Sequence, residues 1–134
     1  MDTSPLTFAQ SAAYAPRLDV LESTGSTNAD LVAAVSSEPY EWPEGSVLVT
    51  TDQRHGRGRL DREWTTPPGS ALAVSVLVHA DGLPMEARGW LSLISGMAMT
   101  RAVARVLRAT SHTVELKWPN DVVAPGAGAD GADL

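Results

Sequence analysis

The sequence predicts an α+β domain built on a mixed, largely antiparallel sheet flanked by helices. Short alternating or apolar runs at 17–22, 47–51, 70–79 and 113–116 read as strands, whereas 27–36 and 86–109 repeat apolar residues at helical spacing. The two patterns interleave without a strict strand–helix–strand rhythm, which favours helices on one face of a mixed or antiparallel sheet. A chain of 134 residues fits one domain, burying roughly two-thirds of its unfolded surface.

Residues 1–16 hold two prolines and no period, and read as an irregular lead-in. From Arg17 to Glu22, Leu18 and Val20 alternate with Arg17 and Asp19 as a short strand. The small polar run Ser23-Thr24-Gly25-Ser26-Thr27-Asn28 breaks it. Thr27 with Asp30 has the spacing of a capping box, Asp standing in for the usual Glu or Gln. A helix to about Ser36 follows, with Leu31, Val32 and Val35 expected inside. Its first turn offers hydroxyls, an amide and free N–H groups beside a strand end, although on spacing alone a plain helix cap is the better reading.

A Pro/Glu-containing loop from Ser37 to Gly45 leads into the strand Val47–Thr51. The Pro67-Pro68-Gly69 corner precedes the longest strand, Ser70 to His79. There Leu72, Val74, Val76 and Val78 line one side and Ala71, Ala73, Ser75 and Leu77 the other, so a central place in the sheet is expected. In the helix Glu86–Ala109, Leu91, Ile94, Ala98, Ala102 and Val106, with Leu107 beside them, form the expected inner face. Arg101, Arg105 and Arg108 form a solvated stripe that suits the helix dipole. The strand from Thr113 ends at Lys117-Trp118-Pro119-Asn120-Asp121, where proline stops pairing and leaves Asn120-Asp121 at a strand end. Ala124–Leu134 reads as a surface loop, as though the chain stops mid-fold.

The formal net charge is −6 and only 19% of residues are charged, which argues against both a disordered polymer and a broad nucleic-acid surface. Without cysteine there is no disulfide, thiolate nucleophile or thiolate metal site. No secretory signal or membrane span is visible in the first residues, and the three histidines have no metal-ligand spacing.

Positive charge is instead concentrated between Gln53 and Trp64. Arg54, Arg57, Arg59 and Arg62 share this stretch with Gly56 and Gly58. Glycine brings the backbone close to a ligand, and the guanidinium fork matches carboxylate and phosphate oxygens. Trp64 adds a flat ring for stacking. The pattern is an anion-binding loop, mobile until filled. It is not a Walker loop, since no Gly-Lys-Ser/Thr follows, and it does not open a helix as a dinucleotide fingerprint does. Residue types and spacing point to an anionic, aromatic-bearing ligand such as a nucleotide.

Three motifs then fall into one order: Glu22-Ser23-Thr24-Gly25-Ser26-Thr27-Asn28; Gly56-Arg57-Gly58-Arg59 continuing to Arg62 and Trp64; and Lys117-Trp118-Pro119-Asn120-Asp121. In order and separation they resemble the successive motifs of biotin protein ligases, from Val20 to Val123. The resemblance implies a catalytic domain of the fold shared with lipoate ligases and class II aminoacyl-tRNA synthetases, residues 17–134 forming part of it. It implies ATP-dependent activation of biotin to biotinyl-5′-AMP, with Mg2+, and transfer to a lysine of a carboxylase carrier domain, such as that of acetyl-CoA carboxylase. By analogy Ser26, Thr27, Asn28 and Gln53 would hold the ureido ring. Arg57, Gly58 and Arg59 would lie over the biotin carboxylate and adenylate phosphate. Arg62 would serve the ATP phosphates and Trp64 the adenine. Asn120 and Asp121 would complete the nucleotide side, Asp121 through the metal. Arg57, Arg59 and Arg62 are thus the expected catalytic groups. A cytoplasmic protein that binds neither DNA nor membrane is expected, because too few residues precede the first strand for a helix-turn-helix.

Two departures accompany the resemblance. Asp61 stands where many members have glycine, placing a carboxylate among the arginines. No lysine follows Lys117, whereas the family continues into a Lys-x-x-Gly-Ile strand, the rest of its sheet and a small β-barrel. A partial domain, impaired in adenylation and with apolar faces left exposed, is therefore expected. Three other readings stay open: a lipoate or octanoate transferase, a non-catalytic fragment of a ligase, and an RNA-binding loop with Trp64 as platform.

Overall fold

The computed structural model describes residues 8–58 and 62–125. The chain divides into two compact units, Met1–His79 and Ala80–Leu134, described here in turn.

The first unit is a three-stranded sheet with one helix against it. The lead-in contains a four-residue helix, α1 (Ala9–Ala12), where an irregular segment is expected. Strand β1 (Leu18–Leu21) runs parallel to β2 (Val47–Thr50), which pairs antiparallel with β5 (Ala73–Val76). The middle strand among the described residues is therefore β2, not β5. Val47-Leu48-Val49 is a short apolar run, and Leu48, Val49 and Thr50 are buried, as a strand paired on both sides requires. The two sides of 71–78 separate as their alternation predicts, but the bulky side lies outward, with Leu72, Val74, Val76 and Val78 about half exposed.

Helix α2 (Thr27–Ser37) packs on β2 and β5. Leu31 is buried and Ala34 and Val35 pack beside it, whereas Val32, expected inside, is exposed. Val32 lies one residue, or about 100°, round the helix from Leu31. The core itself is Leu31, Trp42 and Leu48, with Leu21 and Leu77 against it. Trp42 arrives from the loop after α2, through a 3-10 turn at Pro39–Glu41. Arg17 holds it there. Its guanidinium lies 3.7 Å from the Trp42 ring centroid, forks onto Asp19 and donates to the Glu41 carbonyl at 3.0 Å. Pro67–Ser70 forms the expected corner as a type II turn, with Gly69 at φ +77° and Ser70 N–H donating to the Pro67 carbonyl.

The second unit pairs a long helix, α3 (Met85–Leu107), with a hairpin of β6 (Glu115–Lys117) and β7 (Asp121–Val123). The covered side of α3 includes Leu91, Leu93, Gly96, Thr100, Val103 and Leu107, so Leu91 and Leu107 of the expected inner face are covered. Of the expected inner face, Ile94 and Val106 are exposed, as are Ala98 and Ala102. The reason is Gly96: a Cβ there would lie 3.0 Å from Asn120 Cα and from Leu116 Cδ1. A side chain at this position would crowd the hairpin, and apolar periodicity does not register that constraint. Arg101, Arg105 and Arg108 are exposed.

In a core this small, each large side chain carries much of the stability. Trp42→Ala is expected to cost about 3–5 kcal/mol in urea denaturation, whereas Tyr40→Ala, at an almost fully exposed position, should stay within about 0.5 kcal/mol. Equal losses would contradict this placement of the core.

Candidate functional site

The parallel pairing of β1 and β2 resumes beyond both strands. Thr24 N–H donates to the Asp52 carbonyl at 3.0 Å, Arg54 N–H to Thr24 at 2.9 Å and His55 N–H to Gly25 at 2.8 Å. The small polar turn and the start of the arginine stretch are thus stitched together by backbone. Two of the three sequence motifs meet in the first unit.

Helix α2 begins inside this seam. Ser26, not Thr27, is its N-cap, and Ser26 Oγ accepts from Ala29 N–H at 3.4 Å. Asp30 turns back to accept from the Thr24 hydroxyl instead of closing a capping box on Thr27. Thr27, the first helical residue, is buried. Its N–H donates to Gln53 Oε1 at 2.9 Å, its hydroxyl reaches the same oxygen at 3.2 Å, and Ser75 Oγ lies 2.9 Å from that hydroxyl. Asn28 is exposed on the first turn.

Gln53 lines a cleft of about 250 Å³ with Trp64, Thr66, Ala71, Leu72 and Ala73. One amide in an otherwise mostly apolar slot is the arrangement that orients a neutral heterocycle, although the volume is below that of a drug-sized pocket. Trp64, expected beside a nucleotide base, shares this cleft with Gln53.

The arginine stretch is not a simple loop. Strands β3 (Gly56–Arg57) and β4 (Glu63–Trp64) form an antiparallel ladder, and Gly58 N–H donates to the Arg62 carbonyl at 2.7 Å. Arg54 belongs elsewhere, paired with Asp52 at 2.8 Å. That hydrogen bond raises the guanidinium pKa further above its ordinary value. Arg57 and Arg62 are exposed, and no carboxylate among the described residues pairs with them. The readings placed on Arg59 and Asp61 lie outside the described residues.

Asn120 and Asp121 belong to the second unit. They do not trail from a strand end: Lys117 and Asp121 are register partners, and Trp118, Pro119 and Asn120 form the tip of the hairpin. Asn120 lies over Gly96 and Asp121 is exposed. Among the described residues no three His, Cys, Asp or Glu side chains converge as a metal site. None of the described helices is long and apolar enough to cross a membrane.

Ser75, Thr66 and the Ala71–Ala73 wall were not singled out by sequence motifs. A signal for Ser75 exists: it is the one polar residue between Ala71 and Val78. The tightest geometric constraint is Gly56, whose Cβ would lie 2.6 Å from Gln53 Nε2 and 2.7 Å from the Trp64 carbonyl. Gly56→Ala should therefore open the β3–β4 ladder, speed limited proteolysis within 54–63 and shift Trp64 emission. Unchanged cleavage would contradict this packing.

The profile of the biotin/lipoate A/B protein ligase family matches residues 20–130. The chain is 42% identical over 110 residues to a biotin--[acetyl-CoA-carboxylase] ligase of Mycobacterium tuberculosis, a match covering 82% of this chain and 41% of that protein. Identity to the bifunctional ligase/repressor BirA of Escherichia coli is 34% over 106 residues, 78% of this chain and 29% of that protein. Among solved structures, a biotin protein ligase from Leishmania major in complex with biotinyl-5-AMP gives a TM-score of 0.62 at 31% identity, covering 81% of this chain and 47% of the other. The chain thus spans less than half the length of these relatives, and its mixed sheet and helices have their fold. By family profile, sequence relatives and architecture together, the chain belongs to the biotin/lipoate A/B protein ligase family.

Proposed function

We propose that this protein takes part in ATP-dependent protein biotinylation: biotin is activated to biotinyl-5′-AMP and passed to a lysine of a carboxylase carrier domain, in the cytoplasm. The observation that carries this reading is the cleft in which Gln53, held by Thr27, stands among apolar walls next to the arginine ladder. The names of the relatives, a biotin--[acetyl-CoA-carboxylase] ligase and a ligase solved with biotinyl-5-AMP, support it.

Biotin has a neutral polar ureido edge, an apolar body and a carboxylate. Gln53 serves the first, with Ser26, Thr27 and Asn28 building the turn around it. Trp64, Ala71 and Ala73 line the apolar slot. In this reading Arg57, Gly58 and Arg59 take the carboxylate and the adenylate phosphate, and Arg62 the ATP phosphates. The carboxylate oxygen attacks the α-phosphorus, the bond to the bridging oxygen breaks, and pyrophosphate leaves. Two anions must meet for this, so preorganised positive charge is the principal aid and no side-chain nucleophile is required. By the family resemblance the Trp64 ring would serve the adenine, and Asn120 and Asp121, in the second unit, would serve the nucleotide. ATP-borne Mg2+ is commonly held by one or two protein carboxylates besides phosphate oxygens; the exposed Asp121 would be such a carboxylate. The carrier lysine then attacks the acyl carbon and AMP leaves. This segment supplies the turn, the arginine ladder and the Asn-Asp hairpin, and the reaction is proposed on the strength of those parts.

Incubation with labelled biotin, ATP and a carrier domain tests the reading. Slow incorporation is expected, in keeping with a partial domain impaired in adenylation, but dependent on both ATP and biotin, with lipoate a poor substitute. Arg57→Ala should lower biotin-dependent ATP–pyrophosphate exchange by about 100-fold, the scale of losing one donor to a developing anion. Exchange driven equally by lipoate would move the assignment to the lipoate branch. Exchange indifferent to Arg57 would remove the role given to the arginine ladder.

A further inference from the structure

The hydrogen bonds around Thr27 have only one consistent direction. A backbone N–H can only donate, so the Gln53 atom 2.9 Å from Thr27 N is the amide oxygen, as the structure has it. An amide oxygen can only accept, so the Thr27 hydroxyl, 3.2 Å from the same oxygen, spends its proton there. That hydroxyl then meets Ser75 Oγ, 2.9 Å away, as an acceptor, and Ser75 donates. The relay runs from Ser75 through Thr27 to Gln53. Thr27 is buried, so water competes poorly for its hydroxyl. With its oxygen turned to Thr27, Gln53 has only its amino group left, which occupies room that a side chain at position 56 would take: a Cβ there would lie 2.6 Å from Nε2.

We infer that Ser75 is a positioning residue which, acting through Thr27, locks the Gln53 amide so that the cleft meets a hydrogen-bond donor and not an acceptor. The ligand group at this point must then be an acceptor. On the biotin reading, on which this identification rests, that group is the ureido carbonyl oxygen. Ser75 itself touches no ligand. Its contribution is selectivity, because a glutamine held by one bond instead of two turns its amide more readily towards a donor-bearing analogue. Without Ser75 the Thr27 N–H still faces the amide oxygen, but the Thr27 hydroxyl has no enforced direction and the lock weakens.

The test uses the whole chain as wild type, Ser75→Ala and Ser75→Thr, the last retaining a hydroxyl. Without ligand, the Gln53 side-chain amide resonances are followed by 1H–15N correlation. They should move in Ser75→Ala and hold in Ser75→Thr. Titrations with biotin and with 2-iminobiotin, whose protonated guanidinium-like group donates where biotin accepts, then give an affinity ratio. Ser75→Ala should lower the preference for biotin about 3- to 10-fold, the scale of one net hydrogen bond; Ser75→Thr should keep it. If Ser75→Ala does not fold, Ser75→Cys, with only a weak donor, takes its place and must show the same loss. An unmoved Gln53 signal, or a ratio equal to wild type in a folded Ser75→Ala or Ser75→Cys, overturns the inference. Failure of the wild type to bind biotin, with the Gln53 signal still responding to Ser75, removes the biotin reading and leaves the relay standing.

Discussion

An α-helix leaves the N–H groups of its first turn without acceptors of their own. In α2 one of these, Thr27 N–H, is taken by the side chain of Gln53, 26 residues further along the chain. Much of the first unit follows from that bond. It ties the start of α2 to the extension of β2, and the backbone bonds of Thr24, Arg54 and His55 hold the same seam. Because α2 also packs Leu31 against Leu48 and Trp42, the seam is anchored in the core. The cap and the candidate ligand contact are therefore parts of one device. A helix N-terminus is satisfied by the amide that lines the cleft.

The electrostatics divide along the arginine stretch. Arg54 is drawn to Asp52 and helps hold the strand extension, whereas Arg57 and Arg62 project from the short ladder without a carboxylate partner among the described residues. Guanidinium groups without such a partner favour a bound anion. The ladder limits how far they can move apart, since Gly56 faces Trp64 and Gly58 is bonded to Arg62. Positive charge is thus held on a frame in place of a slack loop. Such a frame lowers the reorganisation that anion binding requires.

The strands at 18–21, 47–50 and 73–76 and both long helices were legible from alternation, helical spacing and turn residues. What stayed hidden depended on partners distant in sequence. Trp42 looked like part of a polar loop because its burial depends on Arg17 and on Leu31. Strand 73–76 looked central because both its sides are apolar, and periodicity does not say which side is covered. The inner face of α3 was legible only at Leu91 and Leu107, because its closest contact is made at Gly96, which has no hydrophobicity to count. Ser26 replaced Thr27 as the cap because Thr27 is claimed by Gln53 and Ser75. In the site, the residue types of the motifs were visible, but the direction of the hydrogen bonds among them was not.

The central claim is that Gln53 uses its oxygen to hold the helix and its amino group to hold the ligand. Gln53→Glu separates the two, because a carboxylate still accepts from Thr27 and suits a helix N-terminus, yet has no proton to give. Calorimetric titration of this variant with biotin, alongside its thermal unfolding, is the most direct measurement. Stability at or above wild type with biotin affinity lowered on the order of 100-fold is the predicted result. Affinity within about threefold of wild type, where a lost hydrogen bond costs at least that much, would contradict the account.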